Sequence, residues 1–128
     1  MNKYVFVMED GDYLYDSSHQ CLVEFKNDGS VVIGNIPNAG VCVAFPISLN
    51  EDVLEAIGFS SNENGEYKNG NLVIKIECTN PYSILQFEGE PVLFVSDIQN
   101  VCRKKGYPLK IDKISLIQSC NSSKTVSN

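Results

Sequence analysis

The run Glu66-Tyr67-Lys68-Asn69-Gly70-Asn71-Leu72-Val73-Ile74-Lys75-Ile76-Glu77 decides the fold. Asn69-Gly70 is the strongest hairpin signal in the chain, because Asn and Gly tolerate the positive φ that a two-residue turn between strands demands. After the turn, Leu72, Ile74 and Ile76 share one face and Val73, Lys75 and Glu77 the other. Downstream, Asn80-Pro81 reads as a turn, and Tyr82 to Phe87 and Val92 to Val95 read as two more strands joined through Glu88-Gly89-Glu90-Pro91. Upstream, the strand candidates are Tyr4-Val5-Phe6-Val7-Met8, Tyr13-Leu14-Tyr15, Cys21 to Lys26, Val31-Val32-Ile33 and Val41 to Phe45. Turns at Asp10-Gly11, Asn27-Asp28-Gly29-Ser30 and Pro37-Asn38-Ala39-Gly40 separate them, which suggests an antiparallel meander.

Two short helices interrupt the strands. Glu51-Asp52-Val53-Leu54-Glu55-Ala56-Ile57 has Val53, Leu54 and Ile57 on one face and acids in its first turn, where the helix dipole favours them. Ser48 or Asn50 caps it, Gly58 stops it, and Phe59 packs back as an anchor. The second helix starts at a capping box, Ser96-Asp97-Ile98-Gln99, and stops at Gly106 before Tyr107-Pro108. Ile98, Val101 and Cys102 form its inner stripe, leaving Asn100, Arg103 and Lys104 to face water. Leu109 to Ile117 reads as a last strand. The expectation is an α+β fold: one antiparallel, β-rich domain over residues 1–117 with two short helices, and a flexible C-terminal tail over 118–128.

The segment from about Phe45 to Lys110 resembles a family of small, mostly uncharacterised proteins of gut anaerobic bacteria, their mobile elements and phages. Its first block is Pro46-Ile47-Ser48-Leu49-Asn50-Glu51-Asp52-Val53-Leu54, closing on Gly58-Phe59, where the family shows Pro-(Ile/Leu)-x-Leu-Thr-Glu-Glu and then Gly-Phe. Asn64-Gly65-Glu66-Tyr67 with Asn69-Gly70-Asn71 is similar to its hairpin. Val95-Ser96-Asp97-Ile98-Gln99-Asn100, closing on Gly106, is similar to its Val-His-(Gln/Glu)-Leu-Gln-Asn block. Ser96 stands where the family has His, and Val101-Cys102-Arg103-Lys104-Lys105 replaces an apolar aromatic run. The resemblance implies a phage or mobile-element setting and brings no assigned activity.

The 128 residues carry a net charge of −6. This argues against a whole-surface nucleic-acid binder. No apolar run approaches the ~20 residues of a membrane helix. Charge is unevenly placed: residues 1–97 sum to −11 and residues 98–128 to +5, with five of the ten basic side chains between Arg103 and Lys113. Arg103, Lys104 and Lys105 complement the C-terminal end of a helix dipole. Asn100, Arg103 and Lys104, with Lys110 and Lys113 nearby, are also the best candidate contact surface. The five cysteines (Cys21, Cys42, Cys78, Cys102 and Cys120) are odd in number and none pair in a Cys-x-x-Cys pattern. Reduced thiols in a cytoplasm, with no disulfide frame or zinc site, follow. Cys42 and Cys102 sit in apolar patterns and are expected to be buried.

The remaining constellations are weak. His19 and Cys21 are two apart, but the pair falls in a turn with no oxyanion element nearby. Asp10, Asp12 and Asp16 fail the spacing of a calcium loop and read as a hydrated acidic turn. Glu88 and Glu90 flank Gly89 in a turn, without the sugar-binding aromatics a glycosidase pair would need. No metal or cofactor is expected. The function that follows is a non-catalytic interaction protein with a protein partner, in a bacterial cytoplasm or a virion. The alternative is an anti-defence protein that captures a small host-defence signalling molecule in a tyrosine-lined pocket.

Overall fold

The computed structural model describes residues 4–28, 31–33, 36–37, 44–62, 64–79 and 82–126. In chain order the elements are β1 (Tyr13–Asp16), β2 (Cys21–Phe25), β3 (Val31–Ile33), β4 (Ile36–Pro37), β5 (Ala44–Pro46), α1 (Glu51–Ala56), β6 (Ser60–Ser61), β7 (Tyr67–Asn69), β8 (Leu72–Thr79), β9 (Tyr82–Phe87), β10 (Glu90–Val92), α2 (Val95–Lys105) and α3 (Lys113–Val126). The strands form two five-stranded antiparallel sheets, ordered β4-β3-β2-β1-β5 and β10-β9-β8-β7-β6. Strand-rich composition, antiparallel pairing and helices packed on one core make this a small α+β domain.

The second sheet is a plain meander, as the hairpin signals predict. The turn between β7 and β8 is displaced by one residue from the expected position. Asn69 pairs with Leu72, so the turn residues are Gly70-Asn71, with Gly70 at φ +60°. Leu72 and Ile74 are buried while Lys75 is exposed, so the expected apolar face is the inward one. At the β9–β10 turn, Glu88 and Gly89 both take positive φ, and Phe87 faces Glu90. That is the geometry whose twist matches two antiparallel strands.

The first sheet departs from a meander. β5 crosses to the far edge and pairs with β1, Tyr15 opposite Phe45. The expected strand over Val41 to Phe45 is therefore Ala44–Pro46 within the described residues; Cys42 and the turn centred on residues 38–40 lie outside them, as does the Asn80-Pro81 turn. The β5 end is tied to the other half of the chain. Leu49 N–H donates to Leu93 C=O at 3.1 Å and Val95 N–H to Ile47 C=O at 2.9 Å. The entrances of α1 and α2 thus lie side by side.

One apolar cluster joins both sheets and all three helices: Tyr15 and Leu22, Leu54, Ile57 and Phe59, Ile74, Phe87 and Val92, Val95 and Ile98, and Leu116. Phe59, the expected anchor, is fully buried and meets Phe87 edge to face, with ring centroids 5.7 Å apart. Asn50 is the cap of α1, its side chain accepting from Val53 N–H at 2.9 Å. Gly58 leaves the helix at φ +99°, and a Cβ there would stand 2.9 Å from Asn69 Nδ2. Asn69 is itself held by the Tyr107 hydroxyl at 2.9 Å. Gly58→Ala should therefore lower stability by about 1–2 kcal/mol, the cost of a left-handed L-residue. A melting temperature unchanged from the wild type would contradict it.

Three expectations are corrected. Tyr4 to Met8 is not a strand: it pairs with no strand among the described residues, and α2 holds it through Asn100 on Val7 C=O and Asp97 on the Tyr4 hydroxyl. Leu109 to Ile117 is not a strand either, and the described residues form three helices rather than two. Asp112 caps α3, accepting from Ser115 N–H at 3.1 Å and from the Ser115 hydroxyl at 2.8 Å. From there the helix runs to Val126, through the stretch assigned to a tail. Leu116, Ile117 and Cys120 face the core, and Asp112 N–H donates to Ala56 C=O at 2.9 Å, locking α3 against the end of α1.

Candidate contact surface

The site that matters is built on α2. Its start is two residues earlier than the sequence suggests, with Phe94 rather than Ser96 at the cap position. Val95 opens the helix and Asp97, not Ser96, closes the cap. Asp97 Oδ2 accepts from Leu93 N–H and Phe94 N–H, both at 2.9 Å. The Ser96 hydroxyl is fully buried and has no hydrogen-bond partner among the described residues.

Every residue of α2 from Val95 to Cys102 is buried, polar ones included. An amphipathic helix on a core buries only one stripe; here residues 4–12 cover the other side as an arm. The Tyr4 hydroxyl donates to Asp97 Oδ2 at 3.0 Å. Asn100 Nδ2 donates to Val7 C=O at 3.0 Å. Gln99 bridges two points of the backbone, accepting from Tyr13 N–H at 2.9 Å and donating to Gly11 C=O at 3.3 Å. Burial, then the Asp97 bond and charge, push the Tyr4 phenol far up, so it stays a donor.

Arg103 closes this network. Its guanidinium donates to Asp12 Oδ1 at 2.7 Å and to Asn100 Oδ1 at 2.6 Å, with Glu9 at 3.9 Å. Asp12 is fully buried. Burial raises its carboxyl above the usual range, against the opposing pull of the Glu9 N–H and Arg103.

Of the candidate contact residues, Asn100 does not face water and Arg103 is committed to Asp12. Lys104, Lys105, Lys110 and Lys113 are exposed and carry no ion pair among the described residues. Lys113 Nζ stands 5.6 Å from the centroid of the Tyr13 ring, a cation–π distance. The sequence found the lysines through charge alone. It missed the arm's clasp, since nothing in the spacing of Gln99, Asn100 and Arg103 names Gly11, Val7 or Asp12 as partners.

The acidic turn is also rearranged. Asp10 is exposed, but Asp12 and Asp16 are fully buried, so they are not a hydrated cluster. Asp16 is the hub of a local turn: Oδ1 accepts from Ser18 N–H and hydroxyl and from His19 N–H, and Oδ2 faces His19 Nδ1 at 2.7 Å. The His19 ring is thus engaged by Asp16. Burial first, and Asp16 second, push the Cys21 thiol up, which disfavours the thiolate a nucleophile needs. Burial likewise holds Cys102 and Cys120 at about 11. Glu88 is exposed on its turn, as is Glu90.

Among the described residues no three His, Cys, Asp or Glu side chains are grouped to hold a metal ion, and no helix is long and apolar enough to cross a membrane. Two open clefts flank α2. One, of about 220 Å³, lies between the arm and β10 and is lined by Val5, Val7, Pro91, Val92, Val101 and Lys104 among others. The other, of about 240 Å³, is lined by Gln99, Cys102, Arg103, Tyr107, Pro108 and Leu109 with Ile111. Compared with known proteins, the chain matches no family model, no curated protein and no solved structure.

Proposed function

We propose that this chain is a non-catalytic interaction protein of phage or mobile-element origin. Its partner is a protein with an acidic face that docks where α2 turns into α3. The setting is a bacterial cytoplasm or a virion. The observation that carries the reading is the contrast at that end of the molecule. Arg103 is spent on Asp12, while Lys104, Lys105, Lys110 and Lys113 project without ion pairs among the described residues. On a chain of net charge −6, such a cationic end attracts an acidic partner while the acidic remainder of the surface repels it, which orients the encounter. The resemblance to phage and mobile-element proteins supports the setting. The raised thiols and the Asp16-bound His19 support a role without nucleophilic chemistry.

The test is affinity capture from the host at low salt with three baits: wild type, Lys104→Glu/Lys105→Glu, and Lys68→Glu/Lys75→Glu as a charge-matched control on the second sheet. A protein held by the first and third baits and lost by the second is the expected result. Equal recovery by all three removes the proposal.

The second reading is capture of a small anionic ligand. The cleft of about 240 Å³ with Arg103 and Tyr107 in its wall favours it. It stands second because such sites usually exceed ~300 Å³. Nucleotides at a hundred times their dissociation constant would add ~2.7 kcal/mol of stability in a thermal-shift screen. A screen with no shift ends this reading.

A further inference from the structure

We infer that the arm is an open strand edge that pairs with the same arm of a second copy, antiparallel and centred on Phe6. The inference is independent of the partner proposed for the lysines.

Tyr4-Val5-Phe6-Val7-Met8 has the β-branched and aromatic composition of a strand, yet it pairs with no strand among the described residues. Its side chains nevertheless alternate. Val5 and Val7 line the cleft beside β10, while Phe6 meets Phe94 edge to face at 5.5 Å. Alternation of this kind is that of an extended chain. In such a chain the backbone groups of successive residues point to opposite sides. Val7 C=O points to Asn100, so Phe6 N–H and C=O point away from α2, and they have no hydrogen-bond partner among the described residues. Val5, Phe6 and Val7 are 67%, 43% and 50% exposed, an unusual display for three consecutive apolar residues.

The neighbouring edge cannot accept this strand. Glu90 pairs with Phe87 across a two-residue turn, so the next pair, Pro91 with Gln86, is the one whose backbone groups face outward. Pro91 has no N–H to give there.

A second copy fits by charge and symmetry. In the sequence Lys3 stands three places before Phe6 and Glu9 three places after. An antiparallel register centred on Phe6 therefore matches lysine of one copy with glutamate of the other, twice. It also sets Val5 opposite Val7 and Phe6 opposite itself. A two-fold pairing of one segment with itself is closed, so it ends at a dimer.

Sedimentation velocity on the full chain, from micromolar to submillimolar concentration, tests this. The expected result is a monomer–dimer equilibrium. Val5→Lys/Val7→Lys places like charges across the pair and should weaken it at least about tenfold, a change of ~1.4 kcal/mol. Val5→Glu/Val7→Lys places opposite charges across the same pair and should retain the dimer. Both variants should melt with the wild type, since both positions are at least half exposed. A chain that stays monomeric throughout overturns the inference, as does equal weakening by the two double variants, or none by the first.

Discussion

Phe87→Ala should be the most damaging single substitution in this domain, lowering stability by about 3–5 kcal/mol. Phe87 lies on β9 with no exposed surface, and its ring meets the equally buried Phe59 at 90°. Truncation removes the transfer energy of the ring, opens a cavity between the second sheet and the segment leaving α1, and discards an aromatic pair worth ~0.5–1.5 kcal/mol by itself. A domain of this size has roughly 5–15 kcal/mol in total. Urea unfolding should show the midpoint falling sharply at constant slope. A loss under about 1 kcal/mol would mean that the two halves do not share this core.

The second large effect is expected at Arg103, a residue the sequence places in a water-facing contact surface. Arg103→Ala should cost about 2 kcal/mol at neutral pH. Breaking a fully buried pair costs about 3–5 kcal/mol, because the remaining charge has no compensation. The guanidinium is 40% exposed, so solvent screening reduces the figure. The pH dependence carries the diagnosis. Burial places the Asp12 carboxyl above its usual range even with Arg103 present. A raised carboxyl binds its proton more tightly in the folded than in the unfolded chain, so its ionised form costs stability and protonation relieves that cost. Without Arg103 the carboxyl rises further. The deficit of Arg103→Ala should therefore be greatest at neutral pH and shrink as pH falls towards the ordinary value of 3.8. Asp12→Asn in the same background should recover part of the loss at neutral pH, since the amide buries no charge. A deficit that does not vary with pH would assign the loss to packing of the arginine stem.

Both effects show how the candidate site differs from its sequence reading. The lysines at 104, 110 and 113 were legible because charge density is a property of composition along the chain. Asn100 is buried where the sequence expects it to face water, because a helical face is assigned to solvent by default and only the covering arm changes that; Arg103 stays exposed as expected, but its guanidinium is engaged by Asp12. α3 was misread because Ile111 to Ile117 mixes β-branched and polar residues at no clear period. The signal that could have found it was the cap, Asp112 with Ser115 three residues on.

What the chain determines alone is local. Turn chemistry at Gly70-Asn71 and Glu88-Gly89, the caps Asn50 and Gly106, and the alternation of Leu72 and Ile74 each depend on a few neighbouring residues, and each is fixed by backbone sterics or period. What the tertiary structure decides is where unsatisfied polar groups find partners. The crossing of β5 to β1, the burial of Asp12 and Asp16, and the clasp of residues 4–13 by Asp97, Gln99, Asn100 and Arg103 all join groups far apart in sequence. Such pairings are chosen by the shape of the whole core, because a buried donor or acceptor must be met by whichever group packing brings to it.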